Sequence, residues 1–399
     1  MQLSSSTAPV VIAGAGIGGL TAALALARAG HQVLVLERAD QLKEVGAGLQ
    51  LSPNATQCMA QLGLLPQLRD VSFEPRTILI RSATNGQDLA RIPLGTSIEA
   101  HHGAPYLVIH RADLQRTLFE KTQETSAIEV RFGCSVEGLR NNSNGLTVTC
   151  ATEAGHASDI DASVLIGADG VWSKVRETIP RHAEAAFSGR VAYRATVPAD
   201  SVDPDLLADT GLWLGSNAHL VHYPIQRGRA FNIVAIVQED WHEQTWSAPA
   251  DRNALLSRFS SWAAPARSLL GHPDSWLKWA LCGVPAQAPW TDGRTALLGD
   301  AAHGMLPFAA QGAAMAIEDA MVLADVLTPE APDVAEALKT YQSRRQQRVG
   351  KVQATAEQNG RIYHMSGPLA FARNTTLRLS PPKMLAAKMN WIYGWRPPL

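Results

Sequence analysis

Short apolar runs alternate with amphipathic stretches along the first half of the chain, and the period of the apolar positions changes from two to about 3.6 and back. Val10–Ala13 is uniformly apolar, the mark of a strand buried on both faces. Residues 20–29 are rich in Ala and Leu and predict a helix that Gly30 stops. Residues 32–36 predict a second buried strand. Pro53-Asn54 opens a predicted helix through about residue 62, with Asn54 as its N-cap. Residues 76–81 and 89–93 predict two strands joined through Asn85-Gly86, a hairpin turn signal. A strand at 106–109 and a helix at 112–122 follow. Strands at 128–132 and 146–150 flank the polar turn at 141–145, and a buried strand at 164–166 runs into Gly167-Ala168-Asp169-Gly170.

From about residue 187 to 279 strands dominate, at 191–197, 211–214, 220–225 and 231–237, interrupted by one predicted helix at 252–264. A buried strand returns at 295–298, then helices at 313–327 and from 334 into the 350s. The predicted class is α/β: a Rossmann-type nucleotide-binding domain with an inserted antiparallel β-sheet substrate domain and C-terminal helices. The boundaries expected are 1–75, 103–180 and 285–330 for the first, 76–102 and 181–284 for the second, and 331–399 for the helical segment. There are no internal repeats.

Composition narrows the class. With 399 residues, 46% hydrophobic and 18% charged, the chain is an ordinary globular protein. Its formal net charge of -1 argues against a nucleic-acid binder. The four cysteines (Cys58, Cys134, Cys150, Cys282) form no CxxC pair, so no metal site is expected and a reducing cytoplasm suits the chain. The apolar stretch 10–27 lacks a basic leader and is broken by four glycines, which argues against a signal peptide and a membrane helix, so a soluble chain is expected.

Gly14-Ala15-Gly16-Ile17-Gly18-Gly19 satisfies GxGxxG at Gly14, Gly16 and Gly19, after a strand and at the mouth of a helix. The first glycine permits the turn, the second lets a pyrophosphate approach, and the third lets helix and strand pack closely. Glu37 lies 18 positions past Gly19, where a carboxylate binds ribose hydroxyls; Arg38 follows it. The motif alone does not separate FAD from NAD. Gly299-Asp300 ends a buried strand, where ligands bind in such sheets, and an aspartate there calls for a partner.

The ordered set of Gly14, Gly16 and Gly19 with Glu37, then Gly167-Ala168-Asp169-Gly170, then Gly299-Asp300-Ala301-Ala302-His303, resembles the single-component flavoprotein aromatic hydroxylases. Salicylate hydroxylase, 3-hydroxybenzoate 6-hydroxylase and 6-hydroxynicotinate 3-monooxygenase belong to that group. The resemblance implies FAD as cofactor, NADH or NADPH and O₂ as co-substrates, and a small aromatic acid hydroxylated through a flavin C4a-hydroperoxide. It implies that Glu37 binds the adenosine ribose, Arg111 the FAD pyrophosphate, and Asp169 both FAD and NAD(P)H. Asp300 would bind the ribityl chain or pyrophosphate, and Gly312 and Ala313 would approach the flavin ring. Two of these keep plainer alternatives: Asp169 as a turn former and Arg111 as a solvated helix-start residue. Only one GxGxxG is present, so NAD(P)H would bind transiently.

Alternation along His219-Leu220-Val221-His222-Tyr223 puts His219, Val221 and Tyr223 on one face. The resemblance points His219 and Tyr223 into the substrate pocket; two satisfied core residues are the alternative. A phenol of pKa about 10 and a histidine of about 6.5 leave a gap worth roughly 4.8 kcal/mol in water, which the pocket must close. His219 is expected as base or phenolate partner, Tyr223 to orient the substrate, and His303 is a second candidate base or a loop residue near the flavin. Arg194 is read first as a structural ion-pair arginine, with a bidentate contact to a substrate carboxylate as the alternative. Pro307 stands where 3-hydroxybenzoate 6-hydroxylase has a catalytic glutamine, and Cys282-Gly283-Val284-Pro285 where many relatives carry an Asp-Arg pair. Two rival functions remain: a same-fold FAD monooxygenase acting on a non-phenolic or quinone-precursor substrate, and a non-enzymatic FAD-binding redox partner. Monomer and homodimer are both open, and residues 394–399, with Trp395, cover either a partner or the parent domain.

Overall fold

The computed structural model describes residues 8–42, 47–142, 145–152 and 156–398. A six-stranded sheet forms the nucleotide-binding core. Val10–Ala13 lies at its centre, parallel to Val33–Leu36 on one side and Val164–Gly167 on the other. Ile128–Arg131 and Thr295–Leu297 extend it in parallel, and Thr291–Asp292 closes one edge antiparallel. Every side chain of the three central strands is buried, as apolar runs without alternation require. Helix Ile17–Arg28 and helix Gly312–Val326 pack together over this sheet.

The second large sheet has eight strands. It is antiparallel except where Thr210–Gly215 runs parallel to Thr77–Ser82. Thr77–Ser82 and Asp88–Pro93 form the expected hairpin, with Gly86 at φ +74 in the turn. The long strand Ala186–Pro198 pairs with Ala230–Gln238 and Trp276–Gly283, and Ala218–Ile225 pairs with Ala230–Gln238 and Thr210–Gly215. One face of the sheet packs on a core containing Trp213, Phe231 and Trp276; the other faces the nucleotide-binding core.

Several local expectations are corrected. Ser52, not Asn54, precedes the helix Pro53–Gln61, because Pro53 takes the first helical position. Asn54 is buried and its amide donates to Gln311 and Glu318. The helix expected at 252–264 is two helices, Arg252–Arg258 and Ala264–Gly271; the break carries Trp262 into the core, and Pro265 starts the second helix. Gly48–Leu51, not foreseen as a strand, pairs with Leu107–His110. Cys134–Asn142, Gly145–Thr152 and Ala157–Ala162 form a separate three-stranded sheet; residues 143 and 144 of the expected turn lie outside the described residues. The polar helix spans Val334–Tyr363, 30 residues, and three short helices follow it. Trp395 stacks on Arg345 and Arg348 of its own chain, so it covers the parent fold.

Candidate active site

The glycine turn is built for two purposes. A Cβ on Gly14, at φ +104, would lie 2.6 Å from the Ala168 carbonyl oxygen, and one on Gly19 would lie 2.0 Å from that of Gly14. Packing alone demands those two glycines. A Cβ on Gly16 would meet nothing within 4 Å. Gly16 is the N-cap of helix Ile17–Arg28, and no side chain caps it or places a carboxylate in its first turn. Its N–H groups therefore face open space with the positive end of the helix dipole behind them, which suits a pyrophosphate. Glu37 closes the turn: its carboxylate accepts from Ala15 N at 2.8 Å and Ala39 N at 3.0 Å, leaving lone pairs for ribose hydroxyls.

Asp169 is held by the N–H of Val175 at 3.2 Å, while its Oδ1 is buried without a partner. Burial pushes its carboxyl above the ordinary range. An orphaned buried acceptor beside the glycine turn goes beyond a turn former and fits a hydroxyl donor of a bound nucleotide. Arg38, Arg111 and Asp300 are exposed at the ends of their elements. For Asp300 this corrects the argument from burial: Gly299, at φ +61, turns the chain outward, and the buried carboxylate here is Asp319, which accepts from Gly299 N at 3.1 Å. Gly312 and Ala313 begin helix Gly312–Val326, again without a side-chain cap. These groups fit FAD: an uncapped turn, a ribose carboxylate, an orphaned acceptor and a second free helix start.

The eight-stranded sheet supplies the other wall. Register places Ala192, Ile236 and His219 in one row across three strands, with Arg194, Val234 and Val221 in the next. His219 and Tyr223 thus share a face with Arg190 and Arg194, as period-two alternation requires. The loop before Gly312 packs against it: Phe308 lies 5.3 Å from the His219 ring and 5.4 Å from the Arg190 guanidinium. Pro307 opens that turn, half-buried. Gly48 admits Tyr223, since a Cβ there would come within 2.4 Å of its ring.

Charge on this face is unbalanced. Arg194 stacks on Trp279 at 5.4 Å, and its Nε is buried with no hydrogen-bond partner. The Nε of Arg190 is equally unpartnered. Among the described residues neither arginine pairs with a carboxylate, which corrects the expectation of a structural ion pair at Arg194. Burial, then His364 and Arg190, hold the His219 imidazole well below its ordinary value. Burial keeps the Tyr223 phenol protonated.

His303 is not brought to this face. It is fully buried, with Nε2 2.5 Å from Asp319 and its ring 5.0 Å from Trp290. Asp319 also accepts from Arg345 at 2.6 Å, and Glu318 accepts from Arg345, Arg348 and Asn54. This network ties helix Gly312–Val326 to helix Val334–Tyr363. Sequence reasoning missed it, and missed Arg190 and His364. Arg345 had a signal: it sits on the buried stripe Leu338, Tyr341, Arg345, Val349 and Val352, where an unpaired charge is untenable.

A glycine-turn nucleotide cradle together with a sheet face carrying His219, Arg190 and Arg194 suits a flavoprotein enzyme. The FAD binding domain family matches residues 7–356, and the chain belongs to this family, among the single-component FAD-dependent aromatic hydroxylases. It is similar to the 3-hydroxybenzoate 6-hydroxylase of Polaromonas naphthalenivorans (strain CJ2), 37% identical over 388 residues, covering 97% of this chain and 96% of that one. The 3-amino-4-hydroxybenzoate 2-monooxygenase of Streptomyces cremeus is 36% identical over 391 residues, covering 96% and 94%. Among solved structures, a salicylate hydroxylase substrate complex matches with TM-score 0.81 and 27% identity over 98% of this chain and 96% of that one. Klebsiella pneumoniae HpxO complexed with FAD and uric acid matches with TM-score 0.83 and 26% identity over 95% of each chain.

Proposed function

We propose that this enzyme hydroxylates a small phenolic acid with NAD(P)H and O₂, on the sheet face that carries His219, Tyr223, Arg190 and Arg194. The observation that carries the substrate class is the buried, unpartnered Nε of Arg194 on the same face as His219. A guanidinium with one buried, unmet donor is costly unless an anion completes it, and an aromatic carboxylate is a planar match. Bound FAD supplies the redox chemistry, taking reducing equivalents from NAD(P)H and activating O₂.

The chain's own residues prepare the substrate. His219, kept neutral by its surroundings, accepts the phenolic proton, and Tyr223 orients the ring. A histidine with a lowered pKa is a weaker base, so the gap of roughly 4.8 kcal/mol widens. A guanidinium narrows it: one at about 5 Å stabilises a phenolate by ~3 kcal/mol at an effective dielectric of about 20. Arg190 therefore closes part of the gap, while the charge of Arg194 is answered by the substrate carboxylate. Phe308 and the apolar rows around His219 keep water from the reacting atoms. Glu37, Arg38, Arg111, Asp169 and Asp300 would hold FAD, and Gly312 and Ala313 would approach its ring. His303, bonded to Asp319, fixes the short helix Asp300–His303.

All four cysteines are free thiols, which supports a cytoplasmic site of action, and among the described residues no helix is long and apolar enough to cross a membrane. A monomer or homodimer suffices for the chemistry. The uric acid complex of HpxO favours one second reading, a non-phenolic heteroaromatic substrate on the same face. Substrate-stimulated NAD(P)H oxidation across hydroxybenzoates, hydroxypyridines and purines decides between them. Stimulation by phenolic acids alone supports the first reading; stimulation by purines alone overturns it.

A further inference from the structure

Among the described residues the His219 ring has one polar partner, and it comes from far along the chain. Nδ1 of His219 lies 2.8 Å from Nε2 of His364. His364 follows helix Val334–Tyr363, beyond residues 7–356 that match the FAD-binding family. His219 is 2% exposed and His364 9%. Phe308 and Tyr363 enclose the His219 ring at 5.3 and 5.4 Å, so the path from His219 toward solvent runs through His364. An N–H···N bond between two neutral imidazoles fixes both tautomers together: one ring donates and the other accepts.

Charge cannot rest on the pair. Burial disfavours imidazolium at both rings, Arg190 faces both, and Arg373 faces His364, which falls to about 4. Arg373 is itself anchored by the carbonyls of Ile362 and Tyr363. Tyr363, pushed up to about 12 by burial, stays neutral. A proton delivered to His219 therefore moves outward.

We propose that His219 and His364 form a proton relay that carries the phenolic proton from the pocket to solvent, which rests on the reading of His219 as the proton acceptor. The substrate O–H bond breaks as the proton bonds to Nε2 of His219. The proton on Nδ1 of His219 passes to Nε2 of His364, and that on Nδ1 of His364 passes to water. No electrons are exchanged, and reprotonation of the product oxygen along the same path restores the tautomers. His364 is thus a positioning residue that acts through His219.

The test uses FAD-loaded enzyme, 3-hydroxybenzoate and related hydroxybenzoates as probes, and stopped flow with a pH-indicator dye. Flavin absorbance follows binding, and the dye follows protons reaching solvent. His364→Gln keeps an acceptor for Nδ1–H but cannot relay. It should bind the probe within about twofold of wild type and release protons roughly 10²-fold more slowly, with added imidazole restoring part of the rate. Release at the wild-type rate from His364→Gln overturns the relay while leaving His219 as acceptor. Absence of proton release, or of binding, in wild type overturns the acceptor reading and the relay with it. A proton inventory on wild-type enzyme in H₂O/D₂O mixtures does not depend on the variant folding. A curved plot with more than one proton in flight supports the relay, and a linear plot overturns it.

Discussion

Replacing Gly16 by alanine separates ligand binding from folding. The backbone there is extended, at φ -72 and ψ 178, so alanine meets no conformational penalty, and its methyl would have no atom within 4 Å. Alanine is a poorer N-cap than glycine by up to about 1 kcal/mol, which in a chain of this size moves Tm by only ~2–4 °C. The same methyl occupies the space in front of the helix N–H groups. Losing one or two charge-assisted hydrogen bonds, at ~1.5–3 kcal/mol each, weakens FAD binding by roughly 10- to 10⁴-fold. Gly19→Ala is the contrast: a Cβ 2.0 Å from the Gly14 carbonyl must displace backbone, so the apoprotein itself is destabilised by ~3 kcal/mol or more. Tm of the apoproteins and FAD Kd from flavin fluorescence give both quantities. A Gly16→Ala protein that binds FAD like wild type would refute the assignment of this turn to the pyrophosphate.

Four further outcomes are expected. Arg194→Met should raise the KM or Kd for a hydroxybenzoate about 10- to 100-fold while leaving the corresponding benzamide unaffected, as steady-state and spectral titrations would register. Arg345→Met leaves Glu318 and Asp319 buried without their guanidinium and should cost ~3–5 kcal/mol in urea unfolding; a loss under 1 kcal/mol would contradict the network. Stability should fall as pH drops below about 6.5: His364 titrates near 4 in the folded state, so the unfolded chain binds more protons in that window, worth ~3 kcal/mol in full. His222, lowered to about 3 by burial and then Arg81, adds to the same acid limb, and both its ring nitrogens are unpartnered. His222→Leu should therefore flatten the limb and hold or raise Tm at pH 7; a steeper limb would contradict it.

Local features were legible and long-range ones were not. The glycine turn, Glu37 and the hairpin at Asn85-Gly86 are each dictated by a few consecutive residues, and the structure has them where the sequence places them. His219 and Tyr223 share a face because alternation in a strand leaves no other arrangement. The partner of His219 stands 145 residues away, on an element whose docking no local pattern encodes. Asn54 misled for a related reason: its residue type favours a cap, but distant Glu318 and Gln311 claim its amide. Gly48–Leu51 is too short and mixed in polarity to announce a strand; pairing with Leu107–His110 makes it one.

One oxygen atom of O₂ is expected to reach a phenolic acid held on the Arg194–His219 face. Turnover with NAD(P)H under ¹⁸O₂, with mass spectrometry of the aromatic product, tests it most directly. The expected result is one ¹⁸O per product molecule, with His219→Ala retaining FAD but consuming NAD(P)H without product. Stoichiometric H₂O₂ and unlabelled aromatic acid from wild-type enzyme, across every phenolic acid that binds, would contradict it.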